Sequence, residues 1–213
     1  LRRTNQTTIM LSLRHRFSLL IGTALVFSSC QPDGVVAPGG GGGGGGSANF
    51  ITATINGTTI TITQGQPGVT AMAGITFPVD ASYYTTLATA DPYRIMSIEL
   101  GNLVGTSLEE PPTNAEFTSL FYTGPREFVS NPETEPGVSF SYITDALTAA
   151  YTTEVGDQTG SNFNITSIQS ISGPGAAAYM KVSGTFNCKV YNIYDGTMLN
   201  VTNGSFTMTF SSL

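Results

Sequence analysis

Few side chains in this sequence are equipped for chemistry, and their types limit the reactions open to it. Two cysteines, Cys30 and Cys188, and one histidine, His15, are all the thiols and imidazoles it holds. Zinc and copper sites built from several His and Cys need more than that. A Ser–His or Cys–His nucleophile pair would have only His15 as its base, and the chain after residue 29 holds no His. A Ser–Lys pair would draw on Lys181 or Lys189, and neither stands in a recognisable motif. Carboxylates are more plentiful: Glu109-Glu110 precede Pro111-Pro112, and Glu133 and Glu135 lie in NPETEPG. A glycosidase holds two carboxyl groups roughly 5 to 9.5 Å apart across a cleft. Neighbouring residues of Pro-rich loops seldom converge that way, so both pairs read as solvated charges. The stretch Gly156-Asp157-Gln158-Thr159-Gly160-Ser161-Asn162 offers oxygen ligands but lacks the alternating acids of a calcium loop. No catalytic residue, metal ligand or cofactor site is therefore assigned; the expectation is a protein without enzymatic activity or cofactor.

Cys30 has a different chemistry. The run FSLLIGTALVF, Phe17 to Phe27, is shorter than the roughly 20 residues that a spanning helix needs. Arg14, His15 and Arg16 precede it and small residues follow, the order of a secretory signal peptide. Val26-Phe27-Ser28-Ser29-Cys30 resembles the lipobox of bacterial lipoproteins, with Phe27 in place of the usual Leu or Val. That resemblance implies diacylglyceryl transfer to the Cys30 thiol and cleavage before it. Each buried CH₂ of an acyl chain contributes about 0.8 kcal/mol, so two or more chains hold stably where one is marginal. Residues 1–29 are then the signal peptide and Cys30 the lipid-attachment residue and mature N-terminus. Met10 reads as the natural start, which makes residues 1–9 an over-extended reading frame. Gln31 after the cysteine, by resemblance to lipoprotein sorting rules, points to the outer membrane of the cell envelope; Gln31-Pro32-Asp33 does not choose between its periplasmic and outer faces.

Cleavage also changes the charge. The mature chain keeps four basic residues, Arg94, Arg126, Lys181 and Lys189, against all fourteen acidic ones, for a net charge of −10. Nucleic acid is excluded as a partner by that balance, since its binding rests on cations that neutralise phosphates. Cys188 is the one thiol left beside Cys30, so no internal disulfide is expected even in an oxidising compartment.

The elements that must carry these residues are strands. Residues 30–47 hold eight consecutive glycines, Gly39 to Gly46, and read as a flexible coil with a typical span of about 25 Å from Cys30 to Ala48. From residue 48 to 213 the chain reads as a single domain of short β-branched runs: Phe50–Ile55, Thr58–Thr63, Val69–Phe77, Tyr83–Thr89, Tyr93–Leu100, Phe117–Tyr122, Val138–Thr144, Ala150–Glu154, Asn162–Ile171, Ala178–Asn192, Thr197–Thr202 and Ser205–Ser211. Asn56-Gly57 is a two-residue hairpin signal, and Thr144–Ala150 is the one stretch expected to make a turn of helix. Short strands between Pro, Gly, Asn and Asp clusters predict an all-β antiparallel sandwich, with a barrel as the alternative. Alternation in KVSGTFNCKVY puts Val182, Phe186, Cys188 and Val190 on one face, so Cys188 is expected in the core as a small apolar residue.

The opening Phe50-x-Ala-Thr-Ile-Asn-Gly hairpin, the Tyr93-x-Ile-x-Ser-Ile strand, Val182-Ser-Gly-Thr-Phe186 and Val201-Thr-Asn-Gly-Ser-Phe206 together resemble a domain of unknown function found in Bacteroidota lipoproteins. The strand after the first hairpin often carries Trp in that family, whereas here it has Ile60 and Ile62. The resemblance implies an exported, lipid-anchored β domain and transfers no catalytic residue. The function expected is thus a non-catalytic binding or interaction module, attached to the membrane through its N-terminal lipid and taking an unidentified ligand or envelope protein. A hydrolase using acidic residues and a purely structural envelope component are the alternatives.

Overall fold

The computed structural model describes residues 48–76, 80–103, 112–173 and 175–212. Cys30, the signal segment 1–29, the linker 30–47 and Glu109-Glu110 lie outside them. Within the described residues the chain runs β1 (Phe50–Ile55), β2 (Thr58–Thr63), β3 (Val69–Thr76), β4 (Ala81–Ala90), β5 (Tyr93–Leu103), α1 (Asn114–Ser119), β6 (Gly124–Arg126), β7 (Gly137–Asp145), β8 (Ala149–Thr152), β9 (Asn162–Ile171), β10 (Tyr179–Asn192) and β11 (Met198–Ser211).

The all-β antiparallel architecture takes the form of one strongly curled sheet, a half-barrel whose walls pack over a shared core. Its strand order is β2-β1-β11-β10-β8-β7-β5-β4-β3. Asn56 and Gly57 both adopt the left-handed backbone that a tight hairpin between β1 and β2 requires, with φ of 47° and 82°. Thr85 of β4 donates 2.8 Å to the carbonyl of Thr209 on β11, joining the two walls across the core. A chain of aromatic rings fills the same gap, from Tyr83 through Phe117 and Phe121 to Phe210, with centroids 4.7, 4.9 and 5.4 Å apart.

Two glycines explain the C-terminal motifs. In the β10–β11 ladder Gly184 stands directly opposite Phe206, and Phe186 directly opposite Gly204. A Cβ on Gly184 would lie 2.7 Å from the Phe206 ring, and one on Gly204 2.7 Å from the Phe186 ring. Each motif thus supplies the space for the other's aromatic ring, a use of strand glycine that restores the packing it removes. Phe163 of β9 stacks on Phe206 at 5.2 Å, and Phe140 of β7 meets Phe186 at 4.9 Å, which ties both walls to this pair.

Three elements differ from expectation. Phe117–Tyr122 is not a strand: residues 114–119 form α1. Thr113 caps it, accepting from the Glu116 N–H while the Glu116 carboxylate accepts from the Thr113 N–H. This reciprocal cap sets a helix start that apolar content alone does not reveal. Phe117, Leu120 and Phe121 then share the face turned to the core. Thr144–Ala150 makes a β7–β8 hairpin turn instead of helix, with Asp145 accepting from the Leu147 N–H at 2.8 Å. Thr197–Thr202 and Ser205–Ser211 are one strand, β11. The residues between them form a bulge, because Phe186 pairs Gly204 while Cys188 pairs Val201, and Asn203 has a φ of 53°. The extra residue resets the period, so that Val201 and Phe206 both face the core although five positions apart.

Candidate functional site

Among the described residues, those that the sequence offered for chemistry are dispersed, and the aspartates of three loops hold turns. Asp145, Asp157 and Asp195 repeat one device: each carboxylate accepts from a backbone N–H two residues on, at 2.8, 2.9 and 2.8 Å. Each also accepts from a nearby threonine hydroxyl, Thr148, Thr159 and Thr197 respectively. These hydrogen bonds hold all three carboxyls below the ordinary aspartate range. The Asp157 loop considered for calcium is closed in this way, and Lys189 adds an ion pair at 3.3 Å. Among the described residues no three of His, Cys, Asp and Glu gather into a metal-sized cluster.

Cys188 lies on the core face of β10, buried and unpaired, where desolvation pushes its thiol pKa far up. A neutral thiol in such a place packs as an apolar group and does not attack. Lys189 points outward from β10 and donates to Asp157 and to the Thr159 carbonyl, not to a serine. Glu135 accepts from the N–H and hydroxyl of Ser130, which fixes the Pro-rich loop before β7.

A concave feature arises where the sheet divides. One edge of β10 takes β9 along Tyr179–Asn187 and β8 at Tyr191 and Asn192. The two arms rejoin: β6 pairs β9, and the chain beyond it crosses to β7, with Val138 donating 2.9 Å to the Glu127 carbonyl and Val129 donating 3.1 Å to Val138. The loop between β8 and β9 crosses the opening. Gln158 anchors it there, its amide donating 2.7 Å to the Lys189 carbonyl and its oxygen accepting 2.8 Å from Ser161.

A cleft of about 360 Å³ remains between this loop and β6, lined by Arg126, Glu127, Phe128, Thr159, Asn162 and neighbouring atoms. Its described lining holds one carboxylate, Glu127, so it lacks the facing pair that acid–base hydrolysis uses. Arg126 is turned toward the segment after α1. It lies 3.2 Å from the Tyr122 ring centroid and donates 2.6 Å to the Leu120 carbonyl, while its Nε is buried without a partner. Burial holds its pKa below the usual guanidinium value. Neither Arg126 nor Gln158 stood out in the sequence as a site residue. Their roles depend on β6, a strand of three residues with no periodicity to announce it.

No protein-family model matches the chain, and no curated protein or solved structure matches it either.

Proposed function

We propose that this is an exported cell-envelope protein, lipid-anchored at Cys30 on the outer membrane, whose β domain is a non-catalytic binding or interaction module. The observation that supports it best is the structural commitment of several reactive groups among the described residues. Asp145, Asp157 and Asp195 close turns, Cys188 packs in the core, and the cleft beside β6 holds one carboxylate. Groups bound in this way are unavailable for proton or acyl transfer, while polar loops and a cleft are the ordinary means of recognition.

The test has two arms. In the full chain, incorporation of an alkynyl fatty acid is expected to disappear on Cys30→Ser; label that persists in that variant overturns the anchor. Glycans and peptidoglycan fragments screened by thermal shift are expected to give a dose-dependent rise in Tm with no product formed. A ligand at about 100 times its Kd stabilises by roughly 2.7 kcal/mol. Reproducible turnover in any well overturns the non-catalytic reading and favours a hydrolase.

A further inference from the structure

Among the described residues the two ends of the curled sheet, β2 and β3, are open edges, and they are built differently. The ladder register identifies which groups each leaves free. Ala90 donates its N–H to the Gly68 carbonyl, and the register continues through Thr70–Ala88, Met72–Thr86, Gly74–Tyr84 and Thr76–Ser82. These even-numbered residues exchange hydrogen bonds with β4, because bonded pairs alternate along an antiparallel ladder. The N–H and C=O groups of Ala71, Ala73 and Ile75 therefore point away from the sheet.

The side chains of this row face the core side, where Ala71 and Ile75 pack against the main cluster without being fully buried. Ala73, at its centre, is exposed. The ladder to β4 has no bulge, and Val69–Thr76 contains no charge and no proline. Charges, prolines and bulges are the usual protections of an edge strand, and β3 has none of them. On β2, the corresponding argument from Gln64 N–H to Asn49 carbonyl leaves Thr59, Thr61 and Thr63 on the open side. Thr59 and Thr61 are exposed, and their hydroxyls bond to Thr54 and Thr52 on β1. That edge also lacks charge, proline and bulge, but it is shorter and more polar, and its threonine hydroxyls are engaged within its own hairpin.

We infer that β3 is a self-association edge, pairing antiparallel with β3 of a second copy about a two-fold axis at Ala73. Ala73 then faces Ala73 and Ala71 faces Ile75 of the other copy, which matches every free donor with an acceptor in about six main-chain hydrogen bonds. The same contact covers the half-buried apolar row on both copies. A second copy fits this edge for electrostatic reasons too. The chain carries a formal charge of −6, so most approaches between copies are repulsive, whereas β3 and its neighbour β4 are free of charged residues. An isologous contact of this kind closes on itself and stops at a dimer. The inference stands on the register of β3 and does not depend on the anchor at Cys30.

The experiment uses the full chain in a neutral detergent, with Cys30→Ser so that any added thiol is the accessible one beside buried Cys188. In sedimentation this protein is expected to show twice the monomer mass. Ala73→Cys is expected to give a disulfide-linked dimer on mild oxidation, since facing residues of an antiparallel pair lie about 5.5 Å apart at Cα, within disulfide reach. Thr61→Cys, at the centre of the β2 edge, is expected to stay unlinked. Ala73→Lys, which brings two charges together at the axis, is expected to sediment as a monomer with an unchanged circular dichroism spectrum. Monomeric behaviour of the unsubstituted edge at submillimolar concentration overturns the inference, as does equal cross-linking through Thr61→Cys. If Ala73→Lys fails to fold, the sedimentation of the parent and the two cysteine variants still decide.

Discussion

The β10–β11 pair and β3 belong to one sheet but are held in opposite ways. The pair runs in continuous contact from Tyr179–Ser211 to Tyr191–Met198, and each of its strands has a partner on its other edge as well. Alternate residues of β10 from Met180 to Asn192 are buried, with phenylalanine rings seated over glycines. Among the described residues β3 bonds on one side only, and none of its eight residues is fully buried. The difference shows where a curled sheet keeps its stability and where it remains open to association. Backbone pairing is available to both regions, but interlocked side chains are found in one.

The largest break in this contrast is expected from Phe206→Ala. The ring is buried between Gly184, Phe163 and Phe186, and a cavity in such a place costs about 3 to 5 kcal/mol in urea unfolding. Ile75→Ala on β3 is expected to cost about 1 kcal/mol, because its side chain is only half removed from water. Comparable losses at both sites would mean that β3 is as firmly packed as β11.

Glycine substitutions sharpen the comparison at smaller scale. Gly184→Ala places a methyl 2.5 Å from the Asn164 carbonyl and 2.7 Å from the Phe206 ring, and neither can retreat. Overpacking of this kind costs about 1 to 3 kcal/mol. Gly74→Ala on β3 meets the half-buried Tyr84 ring at its hydroxyl end, 2.6 Å away, the far end of a side chain instead of backbone. Near-neutral stability is expected there, measured by the shift in Tm.

The smallest effect concerns Tyr83 of β4, whose hydroxyl is buried without a partner and whose pKa burial pushes up to about 12. An unfolded tyrosine ionises near pH 10. Below that pH both states keep the proton and stability is unaffected. Between about pH 10 and 12 the unfolded chain releases it first, so stability falls as pH rises. Tyr83→Phe is expected to reduce this alkaline slope, to which Tyr84, Tyr93 and Tyr142, also raised by burial, contribute the rest, and to leave neutral-pH stability equal or slightly higher, since it deletes an unsatisfied polar group. A loss of about 1 kcal/mol or more at neutral pH in the variant would show that the hydroxyl has a partner in solution.

Much of the domain was legible because strand alternation is a local property. KVSGTFNCKVY placed Cys188 and its neighbours on the buried face, and Asn56-Gly57 marked the first hairpin, since a left-handed turn needs those residue types. α1 was missed because a reciprocal Thr113–Glu116 cap and three apolar residues resemble a strand when read by composition alone. The cleft was missed for another reason. Its walls come from β6 and the β8–β9 loop, more than thirty residues apart, and Gln158 joins them through the backbone of a third element, β10.

By itself the sequence determined the class of the domain, the alternation that sorts its core from its surface, and the scarcity of catalytic side chains. These follow from backbone geometry and residue chemistry acting over a few positions. The tertiary structure alone decided that the strands form one curled sheet, that its arms divide at β10 and rejoin at β7, and that β3 is left with an open edge. Those outcomes depend on which distant strands meet and in what register. One added residue in β11, at Asn203, changes the register for every strand beside it, and no local pattern encodes what lies opposite.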